Sequence, residues 1–211
     1  MLDQVRKSAG ETFVPVRAYR EDLGPLWSKI DRFDKLERIQ HFRQPESASW
    51  RAFAAGRWEE ALELTEQDRP EVVAEFAEDR RLGYNSYRVR VVEFPIDPYL
   101  QWEMHRFKIR VECGENIRVV GPELLARFET HGIVPELIFM GSLAMYEVLY
   151  SEAGVLAGGR KFTDSELIAG CRAEVQALYA QGEDFWTFFD REIAPLPPPA
   201  GEPEFSTSAG P

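Results

Sequence analysis

The chain has 211 residues, of which 44% are hydrophobic and 12% aromatic, enough to bury the core of one domain or of one domain plus a helical appendage. Its formal charge of −11 repels phosphate backbones, so we expect no direct nucleic-acid binding. Its two cysteines, Cys113 and Cys171, suggest neither a disulfide framework nor a zinc site. The sequence has no signal-like start and no long uncharged apolar run, so we expect a cytoplasmic protein that does not bind membranes.

Residues 1–84 predict an N-terminal strap followed by a helical layer. Residues 1–24 mix glycine, proline and charge, which leaves the order of this strap open. From Pro25, the spacing of Leu26, Ile30 and Phe33 predicts a helix that ends near Pro45, within a helical layer over residues 25–84. The basic residues of this region alternate with acids, which is typical of a solvated helix surface. They are Arg17, Arg20, Lys29, Arg32, Lys35, Arg38 and Arg43.

A helical hairpin is predicted around Gly56. Residues 49–64 resemble the turn of a tetratricopeptide-type hairpin, with aromatic anchors before the glycine and an amphipathic segment after it. The pattern occurs once, with no second copy near the repeat spacing, so a solenoid is not indicated. We interpret it as a hairpin that covers a sheet, rather than as a peptide-binding groove. Pro70 begins a further helix that ends at Gly83.

A strand followed by a capped helix opens the core, predicted over residues 85–194. Residues 87–94 alternate apolar and charged side chains, which predicts a strand. Asp97 then caps a helix and Pro98 supplies its first turn. The helix carries two opposite apolar stripes, so it should lie between the sheet and the N-terminal helices. Residues 116–120 form a second strand after Gly114, which completes a βαβ-like unit.

The remaining elements complete an α+β fold. We expect a short helix over residues 122–130, strands at 136–140 and 145–150, and a hairpin into 155–157. Thr163 with Glu166 predicts a capping box before a long helix, and an aromatic cluster docks a last helix. The proline-rich tail, residues 195–211, is expected to be disordered. The predicted fold is a mixed β-sheet of about four to five strands with a βαβ-like start, covered by an N-terminal helical hairpin layer and C-terminal helices.

The histidines and cysteines do not form a recognisable catalytic or metal-binding constellation. His105 falls on a polar stripe of its helix, while His41 and His131 read as surface residues. Cys171 lies on a buried stripe and Cys113 ends an apolar one, so neither resembles an activated nucleophile. Phosphate-loop, dinucleotide, zincin and hydrolase motifs are absent from the sequence. We therefore predict no catalytic residues, no metal and no cofactor.

The candidate binding residues are charged groups of the predicted core. Arg88 and Arg90 occupy the polar side of the first predicted strand, near Glu103 and Arg118. Arginines beside carboxylates usually form structural ion pairs, and the alternative is an anion or peptide-carboxylate site gripped by a guanidinium fork. Tyr146 completes the cleft that such a ligand-binding protein would use.

The runs at 88–95, 99–103 and 114–120 resemble an uncharacterised actinobacterial domain family of unknown function. The resemblance covers about residues 85 to 160, and the hairpin at 50–64 is typical of a longer subgroup. The resemblance implies that members of this family are often encoded beside helix-turn-helix regulators and that no activity is assigned to them. The element order is also similar to one half of a phospholipase D-type domain, but the His-x-Lys pair of that family is missing.

These observations favour a regulatory or adaptor protein without catalytic activity of its own. It would act through protein–protein contacts, with a helix-turn-helix transcription regulator as the expected partner, because an acidic chain suits a basic one. The alternative is a small-molecule or anion-binding protein, or an enzyme, that uses a cleft around Arg88, Arg90, Glu103 and Tyr146. The sequence leaves the oligomeric state and the strand order open.

Overall fold

A computed structural model describes residues 1–201 and shows a mixed sheet with helices on both faces. The strands are β1 (Glu11–Phe13), β2 (Arg32–Glu37), β3 (Asn85–Val91), β4 (Asn116–Val120), β5 (Leu137–Met140), β6 (Ala144–Tyr150), β7 (Leu156–Phe162) and β8 (Glu183–Asp184). The α-helices are α1 (Val16–Leu23), α2 (Ala48–Ala54), α3 (Trp58–Gln67), α4 (Arg69–Leu82), α5 (Pro98–Cys113), α6 (Ser165–Gln181) and α7 (Phe185–Phe188). Short 3-10 turns and one π-helical turn, Phe189–Ile193, connect or extend them.

The strands of residues 1–201 form one sheet in the order β1-β7-β6-β5-β2-β3-β4-β8. Its middle, β2-β3-β4, is parallel, and every other pairing is antiparallel. The predicted βαβ unit is confirmed, because α5 connects the parallel neighbours β3 and β4. The prediction of an α+β fold is also confirmed, but four to five strands undercounts the eight that this part of the chain contains. Strands β2 and β8 were not predicted, and β1 lies in the N-terminal strap, whose order was left open.

The prediction of a helix from Pro25 to near Pro45 is wrong. A 3-10 segment, Gly24–Lys29, is followed by β2, which lies between β3 and β5 at the centre of the sheet. Asp34 and Leu36 point to one face of the sheet, and Lys35 and Glu37 point to the other, as strand pleating requires. Because charged residues lie on both faces of β2, its sequence does not alternate between apolar and polar residues. The spacing of Leu26, Ile30 and Phe33 matched that of a helix instead.

Both faces of the sheet are covered. On one face, Leu36, Val89 and Val91 pack with residues of α6 in the largest apolar cluster. The side chain of Asp164 accepts a hydrogen bond from the backbone N–H of Leu167 and caps α6, so the cap is Asp164 and not the predicted Thr163. On the other face lie α5 and the N-terminal helices, and this is the face that Arg88 and Arg90 share.

Helix α5 is buried on two sides, as its two apolar stripes predicted. Asp97 caps it by accepting from the Tyr99 N–H at 2.7 Å, and Gly114, at a φ of 124°, ends it. Met104 belongs to the apolar cluster formed with β4 and α7. Trp102 stacks on Phe53 of α2, with ring centroids 5.7 Å apart. The α2–α3 hairpin therefore packs on the core through α5, and its turn is Gly56, at a φ of 72°.

The chain ends of the described region pack against the body. The amino group of Met1 lies 3.0 Å from Glu174 on α6. The carbonyl of Pro197 accepts a hydrogen bond from Gln101 at 3.0 Å, so part of the proline-rich segment contacts α5. Residues 202–211 of the predicted disordered tail lie outside the described residues. None of the helices within residues 1–201 has the length and apolar character needed to cross a membrane.

Candidate functional site

A ladder of charged side chains occupies the α5-facing side of β2 and β3. Parallel pairing sets Lys35 opposite Arg88 and Glu37 opposite Arg90. Residues two apart on a strand share a face, so these four charged groups lie side by side. All but Lys35 are at least nine-tenths buried. Such burial requires that the charges be paired.

Arg88 is held at the centre of this ladder by two carboxylates. Its Nη1 lies 2.6 Å from Glu37 Oε1, and its Nε donates to Glu115 Oε1 at 2.7 Å. Arg110 of α5 also donates to Glu115 and pairs with Glu75 of α4 at 2.8 Å. The result is a continuous chain of ion pairs that ties β2, β3, α4 and α5 together.

Arg90 lies deeper and has no exposed surface. Its Nε donates to Glu103 Oε2 at 2.9 Å and its Nη1 to the Ile39 carbonyl at 2.8 Å. The other oxygen of Glu103 accepts from the Tyr99 hydroxyl at 2.8 Å, and Gln44 donates to that hydroxyl at 2.6 Å. Arg90 and Glu103 therefore form an internal network that fixes α5 over the sheet, in which Arg90 Nη2 has no hydrogen-bond partner among the described residues.

A cleft of about 520 Å³ opens above the ladder. Its floor includes Lys35, Glu37 and Arg88, and its walls come from α1, α5, residues 42–47 and the ends of β6 and β7. Cationic side chains outnumber carboxylates in its lining. The cationic residues are Arg20, Lys35, Arg43, Arg88, Arg106 and Arg110, and the carboxylates are Glu37, Glu46, Glu75 and Glu103. Glu115, below the floor, also pairs with Arg88 and Arg110, so several of these cations are already neutralised.

Arg106 is the half-buried cation of α5 that faces the cleft without an ion-pair partner. Its Nη1 donates to Gln44 Oε1 at 2.7 Å, and its guanidinium carbon lies 5.1 Å from the Trp102 ring centroid. Within residues 1–201, no carboxylate lies within ion-pair distance of Arg106 or of the exposed Arg20. Gln44 and Trp102 orient the Arg106 guanidinium, while most of its donors stay available.

Glu37 is a buried carboxylate of which only one oxygen has a binding partner. Its Oε1 is 2.5 Å from the Lys35 ammonium and 2.6 Å from Arg88, whereas its Oε2 has no hydrogen-bond partner among the described residues. Burial would raise the pKa of Glu37, but the charges of Arg88, Lys35 and Arg90 outweigh burial and hold that pKa far below its usual value. Glu37 is therefore ionised under all ordinary conditions.

Glu136 is a second buried carboxyl beside this ladder, with the opposite shift. Its Oε1 accepts from the backbone N–H groups of Arg38 and Ile39 at 2.6 and 2.7 Å, and its Oε2 has no partner in the described part of the chain. Burial, followed by the negative charge of Glu37, raises the pKa of Glu136 to about 8. At neutral pH one member of the pair thus holds a proton and the other does not.

The structure brings together three of the five predicted site residues. Arg88 and Glu103 line the cleft, and Arg90 lies beneath it, paired with Glu103. Arg118 does not join them, because its register partner is Val89, so it points to the opposite face of the sheet, near Tyr179 of α6.

Tyr146 also lies outside the lining of the cleft. Its hydroxyl donates to Asp22 at 2.5 Å, and its ring packs edge-on against Tyr19 at 5.7 Å. Lys161 lies 2.9 Å from the same aspartate. Tyr146 thus belongs to a polar contact that fastens α1 to the sheet.

The predicted site residues did not include Lys35, Glu37, Arg106, Glu115 or Glu136. Lys35 was assigned to a solvated helix, so its pairing with the sheet could not be seen. A signal did exist on α5, where Glu103, Arg106 and Arg110 follow the spacing of one helix face. The ladder itself depends on contacts between distant segments, which no local pattern records.

The histidines lie outside the cleft lining. His41 Nδ1 lies 3.1 Å from Asp97, which is the cap of α5. His105 is not solvent-facing, as its polar stripe suggested, but half-buried between the rings of Trp58 and Phe189. Burial, with a smaller effect of Lys108, lowers the pKa of His105 to about 4. Within residues 1–201, no group of three or more acidic, histidine or cysteine side chains could hold a metal ion.

Comparison with known families matches residues 21–190 to the family described as "Domain of unknown function (DUF6879)". The match covers most of the chain and leaves out the cleft residues Val16, Tyr19 and Arg20 of α1. The chain therefore belongs to this family. A search of the curated proteins found no match.

Proposed function

We propose that this protein binds a small anionic ligand in the cleft above the β2–β3 ladder, with Arg106 as the principal contact. The observation that carries this proposal is the Arg106 guanidinium, which lines the cleft and which no described carboxylate neutralises. A guanidinium presents donors in a fixed fork that suits carboxylate and phosphate oxygens.

The shape of the cleft supports the same proposal. Its volume of about 520 Å³ lies within the range of small-molecule sites. The floor is stiff, because Arg88 is bound by Glu37 and Glu115 from two other segments. Gln44 and Trp102 orient Arg106 before any ligand arrives, which reduces the conformational entropy lost on binding. Arg88 and Arg90 then serve as structural ion pairs that support the site.

The experiment is titration calorimetry with propyl phosphate and inorganic phosphate at low salt, on the wild-type protein and on Arg106→Ala. We expect millimolar or tighter binding that weakens more than tenfold in Arg106→Ala. Arg118→Ala is the matched control, because this arginine lies on the other face of the sheet and should leave binding unchanged. Equal affinities in the wild type and Arg106→Ala, or no binding of any anion by the wild type, would overturn the proposal.

A second proposal is the regulatory or adaptor role, with a basic protein such as a helix-turn-helix regulator as partner. It is supported by the acidity of the chain outside the cleft, for example by the exposed Glu59 and Glu63 on α3. The cytoplasmic location, the actinobacterial kinship and the phospholipase D-like half-domain topology stay predictions.

Affinity capture from the native host, followed by mass spectrometry, tests the adaptor role. Stoichiometric recovery of a regulator, lost in the Glu59→Lys/Glu63→Lys double variant, would support it. The exposed Glu152→Lys serves as the control. Recovery of the protein alone would contradict it.

A further inference from the structure

We propose that the ligand of this cleft is an amphipathic organic acid, in which one acidic group binds Arg106 and an apolar body lies over Ile138 and Val148. This inference rests on the proposed function and names the class of molecule that the site takes. Two observations carry it. The floor of the cleft changes from charged to apolar across the sheet, and one wall connects Arg106 with the apolar end.

The apolar half of the floor follows from the strand pairing. Lys35 of β2 lies opposite Ile138 of β5, and Ile138 lies opposite Tyr146 of β6. Residues directly opposite one another share a face of the sheet, and so do residues two apart on a strand, which brings Val148 to the same face. Ile138 and Val148 both line the cleft. The floor is therefore charged over β2 and β3 and apolar over β5 and β6.

The loop that precedes α2 forms the wall between the two halves. The side chain of Gln44 accepts a hydrogen bond from Arg106 at 2.7 Å. Phe42, two residues earlier, stacks on Tyr150 of β6 with ring centroids 4.6 Å apart. Two residues of extended chain span about 7 Å, so the contact with Arg106 and the contact with Tyr150 lie close together on this wall. One small molecule can therefore reach both halves of the cleft.

Part of the apolar lining is open to solvent. Val148, Tyr150 and Leu156 line the cleft, and each is only partly buried. Apolar and aromatic side chains make up about half of the whole lining, and a lining of this kind with a few placed polar groups is typical of small-molecule sites. Removing apolar surface from water is favourable. A ligand with an apolar body covers this surface, whereas a small polar anion leaves it in contact with water.

The charge balance favours a ligand with a single acidic group. Lys35, Arg88 and Arg110 each pair with a carboxylate, so the floor needs no further anion. Arg106 donates to the neutral Gln44 and has no carboxylate partner among the described residues. One carboxylate neutralises its charge and suits the fork of the guanidinium. Further negative charge on the ligand would lie against the apolar half, where burial makes it costly.

The test compares probes that lack one half of the molecule at a time. Calorimetry at pH 7.5 and low salt would use 4-phenylbutyrate, butyrate, which lacks the ring, and 4-phenylbutyramide, which lacks the charge. We expect the wild type to bind 4-phenylbutyrate about tenfold or more tightly than either of the other two probes. Arg106→Ala should weaken the binding of 4-phenylbutyrate more than tenfold and leave the binding of the amide unchanged.

Val148→Thr tests the apolar half, because threonine keeps the size of the side chain and replaces one methyl group with a hydroxyl. The advantage of 4-phenylbutyrate over butyrate should shrink at least threefold in this variant. Val73→Thr is the matched control, since Val73 is 48% exposed on α4 and lies outside the cleft lining. Should Val148→Thr fail to fold, the wild-type probe series and Arg106→Ala still decide.

The outcomes separate this inference from the proposed function. If butyrate and propyl phosphate need Arg106 for binding and the ring adds nothing, the anion site stands and the amphipathic ligand is wrong. If the amide binds as tightly as the acid, or if Val148→Thr leaves the advantage of the ring unchanged, the two halves do not act on one ligand and the inference is wrong. If none of the anions binds, both proposals fail.

Discussion

The proton on Glu136 should make stability fall between about pH 4.5 and pH 8, and Glu136→Gln should remove that fall. The folded-state pKa of about 8 lies above the ordinary value of 4.5. Between these values the unfolded chain has released the proton while the folded chain retains it, so raising the pH favours unfolding. The full shift corresponds to at most about 5 kcal/mol, at about 1.4 kcal/mol per pKa unit. Below pH 4.5 this residue contributes its full stability, and the loss is complete above about pH 8.

Glu37 acts in the opposite direction and in another pH range. Its pKa is held far below 4.5, so the stability that it contributes is complete above that pH and is lost only in more acidic solution. Between pH 5 and pH 9 Glu37 therefore contributes a constant amount, and the difference between Glu136→Gln and the wild type at each pH cancels other titrating groups such as His105. In Glu136→Gln, the amide oxygen can keep both backbone hydrogen bonds, from Arg38 and Ile39, and the side chain cannot ionise.

Urea unfolding followed by circular dichroism from pH 5 to pH 9 measures this effect. The stability of Glu136→Gln relative to the wild type should rise by several kcal/mol across the range and level off above about pH 8. The exposed Glu152→Gln should shift stability by the same small amount at every pH. A Glu136→Gln difference that does not change with pH would refute the assignment of the proton to this carboxyl.

Two further substitutions test the ladder and the helix above it. Glu103→Ala leaves the guanidinium of Arg90 buried without its carboxylate and should cost about 3–5 kcal/mol in urea unfolding. Glu103→Gln keeps a hydrogen-bond acceptor but also removes the negative charge, so it should lose most of the same stability, and a Glu103→Gln variant as stable as the wild type would contradict a charge effect. Asp97→Ala removes the cap that accepts from the Tyr99 N–H and should cost about 1 kcal/mol, while Asp97→Asn should keep most of the stability, and a silent Asp97→Ala would show that the cap contributes nothing.

The sequence predicted the segment around α5 well because its signals are local. Asp97, Pro98 and Gly114 mark the ends of one helix, and two apolar stripes indicated that both of its sides are covered. The strand before it and the strand after it pair in parallel as a βαβ unit should. Each of these features depends on residues within a few positions of one another.

The candidate site was less predictable because its parts come from distant segments. Arg88 and Glu103 were identified, but Glu37 and Lys35 belong to a central strand that reads as a charged helix when its neighbours are unknown. Arg118 was correctly placed on a strand, but the face to which it points depends on its pairing with Val89, which the sequence does not give. The pKa of Glu136 is raised by burial and by the charge of Glu37, and the sequence alone shows neither of these causes.

The most direct measurement is a crystal structure of the wild-type protein soaked with propyl phosphate. The account predicts phosphate density against the guanidinium of Arg106. Density for the phosphate elsewhere on the surface, with none in the cleft above the β2–β3 ladder, would contradict it.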